Sequence, residues 1–261
     1  MEQNATKTIP TRWDYITEFA LKLGERMLIS GANLERVTDA VYHICESYHC
    51  REVHFFALNC YLNLSPESPD GYKVSGQRCI YSGMDIHLKQ LGQLNQLSRQ
   101  VCAKKPEPEK LDDLLDDAIN TKSYPLPMTF VGYLIAMVAM TYIFDGTLRD
   151  MIVILINTVF IFLAGLRVKK LVINKIVYDV LCTFMVGCIA LFFQYIGLID
   201  TVFTVMIVNS MMLIPGIPLV NSIRNVLCGN EINGILEFFK VIIETIAIAG
   251  GFILSIHLFA L

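Results

Sequence analysis

Apolar residues recur with a helical period along the first part of the chain. Residues 13–28 carry them at three- and four-residue spacing, and a second stripe of the same spacing covers residues 34–48. The intervening Ser-Gly-Ala-Asn run, residues 30–33, breaks the pattern. This spacing places the apolar side chains on one face of a helix, so it predicts two packed amphipathic helices. Asn33 is the predicted N-cap of the second helix.

The pattern then changes to that of a small sheet. Residues 51–64 are rich in β-formers, the turn cluster at 65–71 contains Ser, Pro, Asp and Gly, and residues 72–82 follow it. This order predicts a hairpin or three short strands. Helical spacing returns at residues 88–101 and again at 109–120. We therefore predict a small α+β domain with its linker over residues 1–127.

Long apolar stretches replace these amphipathic patterns beyond residue 127. A membrane-spanning helix needs about 20 apolar residues, so the second and fourth stretches are short, as in tilted or broken helices. The pattern predicts an α-helical integral membrane protein, with about five transmembrane helices in residues 128–261 after a small α+β cytoplasmic domain. The predicted spans are about 128–144, 151–166, 176–196, 201–216 and 235–259.

Composition supports a change of solvent near residue 128. The chain is 54% hydrophobic and 17% charged. Residues 1–127 hold 14 basic and 17 acidic side chains, whereas residues 128–261 hold 7 and 7. Neither part has an excess of basic residues, so we predict no nucleic-acid partner. The expected partners are the lipid bilayer and a small-molecule substrate.

Basic residues indicate how the spans are oriented. Arg167, Lys169, Lys170 and Lys175 crowd the connection between the second and third stretches, which predicts that this connection is cytoplasmic. Counting outward places the N-terminal domain in the cytoplasm and Leu261 outside, in a multi-pass protein of the cell (plasma) membrane. The N-terminus also lacks the apolar core of a secretory signal peptide. Eight Cys without a CxxC pair predict no disulfide framework.

The fourth stretch contains the most informative residues. Pro215, Gly216 and Pro218 remove backbone donors and break the helical ladder, which lipid tolerates only beside protein or a water-filled cavity. We expect a discontinuous helix whose second half presents N-terminal amides to a carboxylate. The alternative interpretation is a simple proline kink in a continuous helix.

Three polar residues follow this break. Asn221 and Asn225 lie one helical turn apart and share a face, with Arg224 beside them. We expect all three to belong to a substrate pathway. The alternative for Arg224 is an anchor at the cytoplasmic interface.

Residues 215–229, followed by Asn233-Gly234, resemble the Pro-Gly-x-x-Leu-x-Asn-x-x-Arg-Asp-x-x-x-Gly signature of the threonine/serine exporter (ThrE-type) family. Gly31-Ala32-x3-Arg36-Val37, Leu97-Ser98-Arg99 and the Tyr124-Pro125 junction occur in the order that the family shows. The resemblance spans nearly the whole chain. Asn225 stands where the family pattern has Asp, so a carboxylate role there is not expected in this chain.

The resemblance implies a function and a partner. It implies a subunit of a secondary transporter that exports threonine/serine-like amino acids or small dicarboxylates. The chain is similar to the larger half of a split form, whose partner is a smaller membrane subunit. Five spans are few for a self-contained transporter built from repeats, which favours such a partner or a homo-oligomer. Competing hypotheses are a scaffold that recruits the partner and a membrane-anchored enzyme that uses the cytoplasmic domain.

Polar groups inside the spans are the remaining pathway candidates, because they are costly in hydrocarbon. Asn157 and Asn209 are expected either to line the path or to bond neighbouring helices. Asp179 and Glu244 are candidates for proton coupling. The alternative for Glu244 is a structural salt bridge with Arg224 or Lys240.

The Cys and His residues from 43 to 54 raise the question of a metal. Cys45 and His49 lie one helical turn apart, a spacing that zinc sites use. However, a helix cannot extend from His43 into the β-like segment near Val53, so we expect these groups not to converge. No P-loop, HExxH or Ser-His-Asp order occurs. We therefore predict no cofactor, no metal, no catalytic residue and no enzyme.

Overall fold

The structure, a computed structural model, describes residues 11–81, 86–120, 124–167, 174–199 and 201–260. The chain divides into two compact units. The first unit contains Met1–Ser123 and Asn221–Ile235, and the second contains Tyr124–Val220 and Leu236–Leu261. A short segment that follows the fourth apolar stretch therefore belongs to the first unit.

The first unit has the α+β content that the sequence predicts. Its three strands form one antiparallel sheet in the order β1-β2-β3, and Leu58 pairs with Tyr61 beside the tight β1–β2 turn. The predicted helices and small sheet are confirmed. The elements are α1 (Arg12–Ile29), α2 (Leu34–Ser47), β1 (Val53–Leu58), β2 (Tyr61–Pro66), β3 (Gly76–Cys79), α3 (Leu88–Lys104), a 3₁₀ turn (Pro108–Lys110) and α4 (Leu111–Ile119).

The core of the first unit is built from the apolar stripes of its helices. In β2, Leu62 and Leu64 are fully buried while their neighbours along the strand are partly exposed, so the sheet presents one apolar face. Helix α1 packs on this sheet and against α2. Asn33 occupies the predicted N-cap position of α2. The fully buried side chains of α1 and α2 include Ile16, Phe19, Leu23, Met27, Val37, Val41 and Ile44.

A helical hairpin completes the first unit. Helix α9 (Gly216–Leu227) is followed by a turn at Gly229, with φ +83°, and by α10 (Glu231–Ala260). The Asn230 N–H donates to the Asn225 carbonyl at 2.8 Å. A Cβ on Gly234 would lie 2.7 Å from the Ser222 carbonyl oxygen. Because that neighbour is backbone, only glycine allows the two helices to approach this closely.

The second unit contains the apolar helices. They are α5 (Leu126–Ile143), α6 (Leu148–Arg167), α7 (Lys175–Tyr195), α8 (Val202–Ser210) and most of α10. Among the described residues, four helices are long and apolar enough to cross a bilayer, namely α5, α6, α7 and α10. Helix α6, which corresponds to the short second stretch, has 20 residues and meets the length requirement.

The predicted fourth span, 201–216, is corrected by the structure. Its helix α8 has nine residues, which rise only about 14 Å, half of a hydrocarbon core of about 30 Å. The helix ends at Ser210 because Pro215 lacks the donor that would continue the ladder. The described residues therefore hold four single spanning helices rather than about five. Lys169, Lys170 and Leu261, on which the orientation was based, lie outside the described residues.

Candidate functional site

The predicted break in the fourth apolar stretch is present. The N–H groups of Leu213 and Ile214 both donate to the Ser210 carbonyl, which closes a turn after α8. Helix α9 then begins at Gly216, directly after Pro215. Pro218 lies in the first turn of α9, where a missing N–H breaks no intrahelical bond.

The first turn of α9 has few amides to offer a ligand. The Gly216 N–H donates to the Ile214 carbonyl, and the Leu219 N–H donates to the Pro215 carbonyl. Pro218 has no N–H. Within the part of the chain that the structure describes, the Ile217 N–H donates to no carbonyl. An anionic group at this helix end would therefore meet one backbone donor rather than three.

Two buried asparagines lie beside the break in the second unit. Asn157 Nδ2 donates to Asn209 Oδ1 at 3.1 Å, and Asn209 Nδ2 donates to the Ile154 carbonyl at 3.1 Å. Both residues are fully buried. Asn157 Oδ1 accepts no hydrogen bond from any described residue. A buried amide oxygen without a donor is costly, so this atom is suited to accept a hydrogen bond from a ligand.

A cluster of three charged side chains forms the second polar site of this unit. Lys175 Nζ lies 2.7 Å from Glu244 Oε2 and 3.1 Å from Asp179 Oδ2. The two carboxylates are almost completely buried, whereas 48% of the lysine side chain is exposed. One ammonium therefore serves two buried acids. The proposed partners of Glu244 were Arg224 and Lys240, but its partner is Lys175.

The charged cluster lies at the start of α7. Lys175 is the first residue of α7, and Asp179 lies one turn later. Helix α10 has 30 residues and rises about 45 Å, more than a bilayer core needs. Glu244 is the fourteenth of these residues, and its contact with Lys175 places it level with the start of α7.

Small residues bring α7 and α10 together next to the cluster. A Cβ on Gly251 would lie 2.6 Å from the Val180 carbonyl oxygen, and one on Gly187 would lie 2.8 Å from Ser255 Cβ. Such glycines let two helices approach closely where no hydrophobic driving force exists. This packing holds the Asp179 and Glu244 backbones in a fixed relation.

The predicted residues beyond the break fall in the first unit. Asn221 Nδ2 donates to the Gly31 carbonyl at 3.4 Å, and Arg224 pairs with Glu35 at 3.1 Å. Asn225 is 2% exposed, and its carbonyl accepts the Asn230 N–H of the hairpin turn. The structure thus groups Asn157 with Asn209, and Asp179 with Glu244. It groups Asn221 with the segment that joins α1 to α2, and Arg224 with the first turn of α2.

Sequence reasoning missed two connecting residues. The sequence analysis uses Lys175 only as a positive charge of a connection. Its four-residue spacing from Asp179 also predicts an ion pair on one face of a helix. Asn233 Oδ1 accepts the Asn59 N–H at 2.9 Å, and its Nδ2 donates to the Ala57 carbonyl at 3.0 Å. The amide of Asn233 therefore holds the β1–β2 turn, a contact that no local pattern indicates.

The cysteine and histidine segment forms no metal centre within the described ranges, where no group of three or more His, Cys, Asp or Glu side chains is placed to hold an ion. His49 ends the helical region with φ +68°. A hydrogen bond from the Cys45 thiol to Cys50 raises the pKa of Cys45 and lowers that of Cys50. The pair is therefore two interacting thiols at the end of α2.

One of three comparisons with known proteins identifies a family. A family model, ThrE, described as "Putative threonine/serine exporter", matches residues 18–259. The searches of curated proteins and of solved structures gave no match. The family match covers both units and includes the break, the buried asparagines and the charged cluster.

Proposed function

Because the chain belongs to the threonine/serine exporter (ThrE) family, we propose that it is a subunit of a secondary transporter that exports small polar metabolites across the plasma membrane. The substrate class is threonine/serine-like amino acids or small dicarboxylates. The observation that carries the proposal is the interrupted α8–α9 segment with the buried Asn157–Asn209 pair beside it. Irregular backbone with polar side chains at membrane depth is how transporter binding sites are built.

The donors and acceptors near the break suit a small polar solute. Asn157 Oδ1 is a buried acceptor for a hydroxyl or an ammonium. The Ile217 N–H at the start of α9 is a donor for a carboxylate oxygen. In this proposal Pro215 and Gly216 keep the backbone open between these two groups.

Coupling to protons is assigned to the charged cluster. With Lys175 shared by Asp179 and Glu244, the three groups carry one excess negative charge when all are ionised. In this proposal, uptake of one proton by either carboxylate neutralises the cluster. Release of the proton on the other side of the membrane would then complete a transport cycle.

Chain connectivity supports a discontinuous fourth crossing. The chain leaves the first unit at Ser123, returns to it at Asn221 and leaves again after Ile235. Helices α5, α6 and α7 provide three crossings between the first two of these points, so a return to the same side needs a fourth. We assign it to α8 together with residues 211–220, which include the first residues of α9. With Arg167 and Lys175 on the cytoplasmic side, the first unit is cytoplasmic and the C-terminus lies outside.

A partner in the membrane is part of the proposal. An apolar groove of about 370 Å³ runs between α8 and α10, and Ser210 is one of its few polar residues. Its position beside the break suits a helix from a smaller membrane subunit or from a second copy of this chain. Packing of such a helix would cover the apolar side chains that line the groove.

Efflux measurements test the proposed function. Cells that lack the gene are loaded with a serine- or threonine-containing dipeptide or with a dicarboxylate, and the released metabolite is followed. We expect slow efflux, restored by the wild-type chain and not by Asn157→Leu together with Asn209→Leu. The control Lys240→Gln changes an exposed residue of α10 and should restore efflux. Unchanged efflux of all these solutes on deletion would contradict the proposal.

A scaffold function is the second candidate, and the contacts of Asn221 and Arg224 with the α1–α2 segment favour it. In that case these residues hold the first unit together and do not meet the substrate. Asn221→Ala would then leave efflux intact, whereas loss of the first unit would prevent assembly with the partner. Co-purification of the two subunits distinguishes this outcome from a transport defect.

A further inference from the structure

A groove in the first unit brings together residues from three distant parts of the chain. It has a volume of about 980 Å³ and lies between α2 and α3, with Arg224 of α9 at its edge. Helix α2 contributes Arg36 and Asp39, and α3 contributes Asn95 and Arg99. In each helix the lining residues recur at three- and four-residue spacing, so each helix turns one polar face to the groove.

The charges of this groove are not all neutralised within the chain. Arg224 pairs with Glu35 at 3.1 Å, and His43 contacts Glu46 at 3.6 Å. Arg36, Asp39 and Arg99 form no ion pair or hydrogen bond through their side chains with any residue in the described ranges. Two guanidinium groups and one carboxylate are therefore available to a ligand.

We propose that this groove is a binding site for an α-amino acid zwitterion. Arg36 and Arg99 bind the carboxylate, because a guanidinium matches its two oxygens with paired donors. Asp39, three residues from Arg36 on the same helix, binds the adjacent ammonium. Asn95 supplies an amide for a side-chain hydroxyl.

The charge balance of the groove selects a zwitterion over a dianion. Its lining includes three arginines and three acidic residues, so its formal charge is zero with His43 neutral. A ligand of zero net charge leaves that balance unchanged. A dicarboxylate would bring two negative charges close to Asp39 and Glu46, which is unfavourable. The groove belongs to the first unit and the Asn157–Asn209 pair to the second, so each can be altered by mutation without changing the residues of the other.

The first test uses the intact chain in lipid nanodiscs and a matched set of probes. Serine carries both charged groups, ethanolamine lacks its carboxylate, and glycerate replaces its ammonium with a hydroxyl. Isothermal titration should show binding of serine and at least about tenfold weaker binding of each analogue and of succinate, equivalent to about 1.4 kcal/mol. Succinate binding as tightly as serine would overturn the assignment to a zwitterion.

Variants localise the site. Arg36→Gln and Arg99→Gln should each weaken serine binding about tenfold or more. Arg51→Gln, an exposed arginine outside the groove, should leave it unchanged. Serine affinity that is insensitive to both groove variants would overturn the proposal. Glu244→Gln should bind serine normally even if its efflux is lost, so failure of transport and failure of this site are distinguishable.

Cys102 provides an independent readout because it lies in the groove. Burial raises the pKa of its thiol, so alkylation is followed at mildly alkaline pH. Peptide mass spectrometry should show that serine slows alkylation of Cys102 and leaves the exposed Cys60 unaffected. Equal rates at Cys102 with and without saturating serine would contradict binding in the groove.

Discussion

Arg224 Nε donates to Glu35 Oε2 at 3.2 Å, and Arg224 Nη2 lies 3.1 Å from the same oxygen. The arginine belongs to the signature that follows the helix break, whereas the glutamate is the second residue of α2. Both side chains are partly exposed, so the pair contributes about 0.2–1 kcal/mol. Its role is therefore to fix position rather than to supply much stability.

A charge swap tests this pair. Arg224→Glu alone and Glu35→Arg alone each place like charges together, and we expect slower efflux and a loss of about 1 kcal/mol in the free energy of unfolding. The double swap should recover most of both losses. Arg51→Glu, at an exposed position, is the control. A double variant no better than its parents would show that the two residues act separately.

Gly234 should not tolerate even a methyl group. An added Cβ would lie 2.5 Å from Val226 Cγ2 and 2.9 Å from the Val226 nitrogen, so α9 and α10 would have to separate. We expect Gly234→Ala to lower the free energy of unfolding by about 1–3 kcal/mol.

Gly92→Ala is the matched control for this change. It lies in α3 of the same unit with no atom within 4 Å of an added Cβ. There alanine should stabilise by about 0.4–1 kcal/mol. Thermal unfolding of both variants in the same detergent measures the difference. Equal melting temperatures would show that the hairpin adapts.

Removal of Lys175 should be more harmful than removal of either acid. Lys175→Gln removes the ammonium that contacts both buried carboxylates, a change that costs about 3–5 kcal/mol. The triple variant Lys175→Gln, Asp179→Asn, Glu244→Gln should regain most of this stability, because neutral amides replace both buried carboxylates.

Transport separates this structural effect from proton coupling. We expect the triple variant to lose the dependence of efflux on a pH gradient in proteoliposomes, while Lys240→Gln retains it. A folded triple variant that still responds to the gradient would contradict the assignment of coupling to these carboxylates.

The Asn157–Asn209 hydrogen bond should show strong coupling in a double-mutant cycle. Asn209→Leu alone leaves Asn157 Nδ2 with only the Val186 carbonyl, at 3.5 Å, as acceptor, at a cost of about 1–3 kcal/mol. Replacing both residues by Leu should cost less than the sum of the single changes. Thermal unfolding measures the stability of each variant, and efflux measures its function. Additive losses would show that the two amides contribute independently.

Cys50 should react at lower pH than Cys45. The hydrogen bond from Cys45 lowers the pKa of Cys50, so its thiolate is present at pH values where an ordinary thiol is protonated. The same bond raises the pKa of Cys45. The alkylation rate of each peptide against pH should therefore rise first for Cys50. Cys45→Ala should move the Cys50 profile to higher pH, and an unmoved profile would contradict the pairing.

The elements of the first unit can be predicted from the sequence because one face of each helix or strand contacts the core and the other contacts water. Ile16, Phe19 and Leu23 face the core, and the polar residues between them face water, so the period is visible. In the second unit both lipid and protein neighbours are apolar. The hydrophobic pattern therefore does not predict which face of α6 or α7 packs against the rest of the protein.

Long-range polar contacts explain what the sequence analysis missed at the site. Lys175 and Glu244 are 69 residues apart, and Asn221 and Gly31 are 190 apart. Neither pair has a local pattern that selects its partner. Arg36 and Arg99 were recognised only as motif residues, and their common groove depends on how α2 and α3 pack. By contrast, Pro215 acts locally, so the break before α9 could be predicted, although α8 ends earlier, at Ser210.

The hairpin of residues 221–235 determines how the protein can be divided for biochemical work. A fragment that ends at Ser123 would lack the amide of Asn233, which satisfies the Asn59 N–H and the Ala57 carbonyl. It would also lose the neighbours of Gly31 and Glu35. An isolated domain should therefore be expressed with residues 221–235 fused after residue 123, because these two discontinuous pieces form one folding unit.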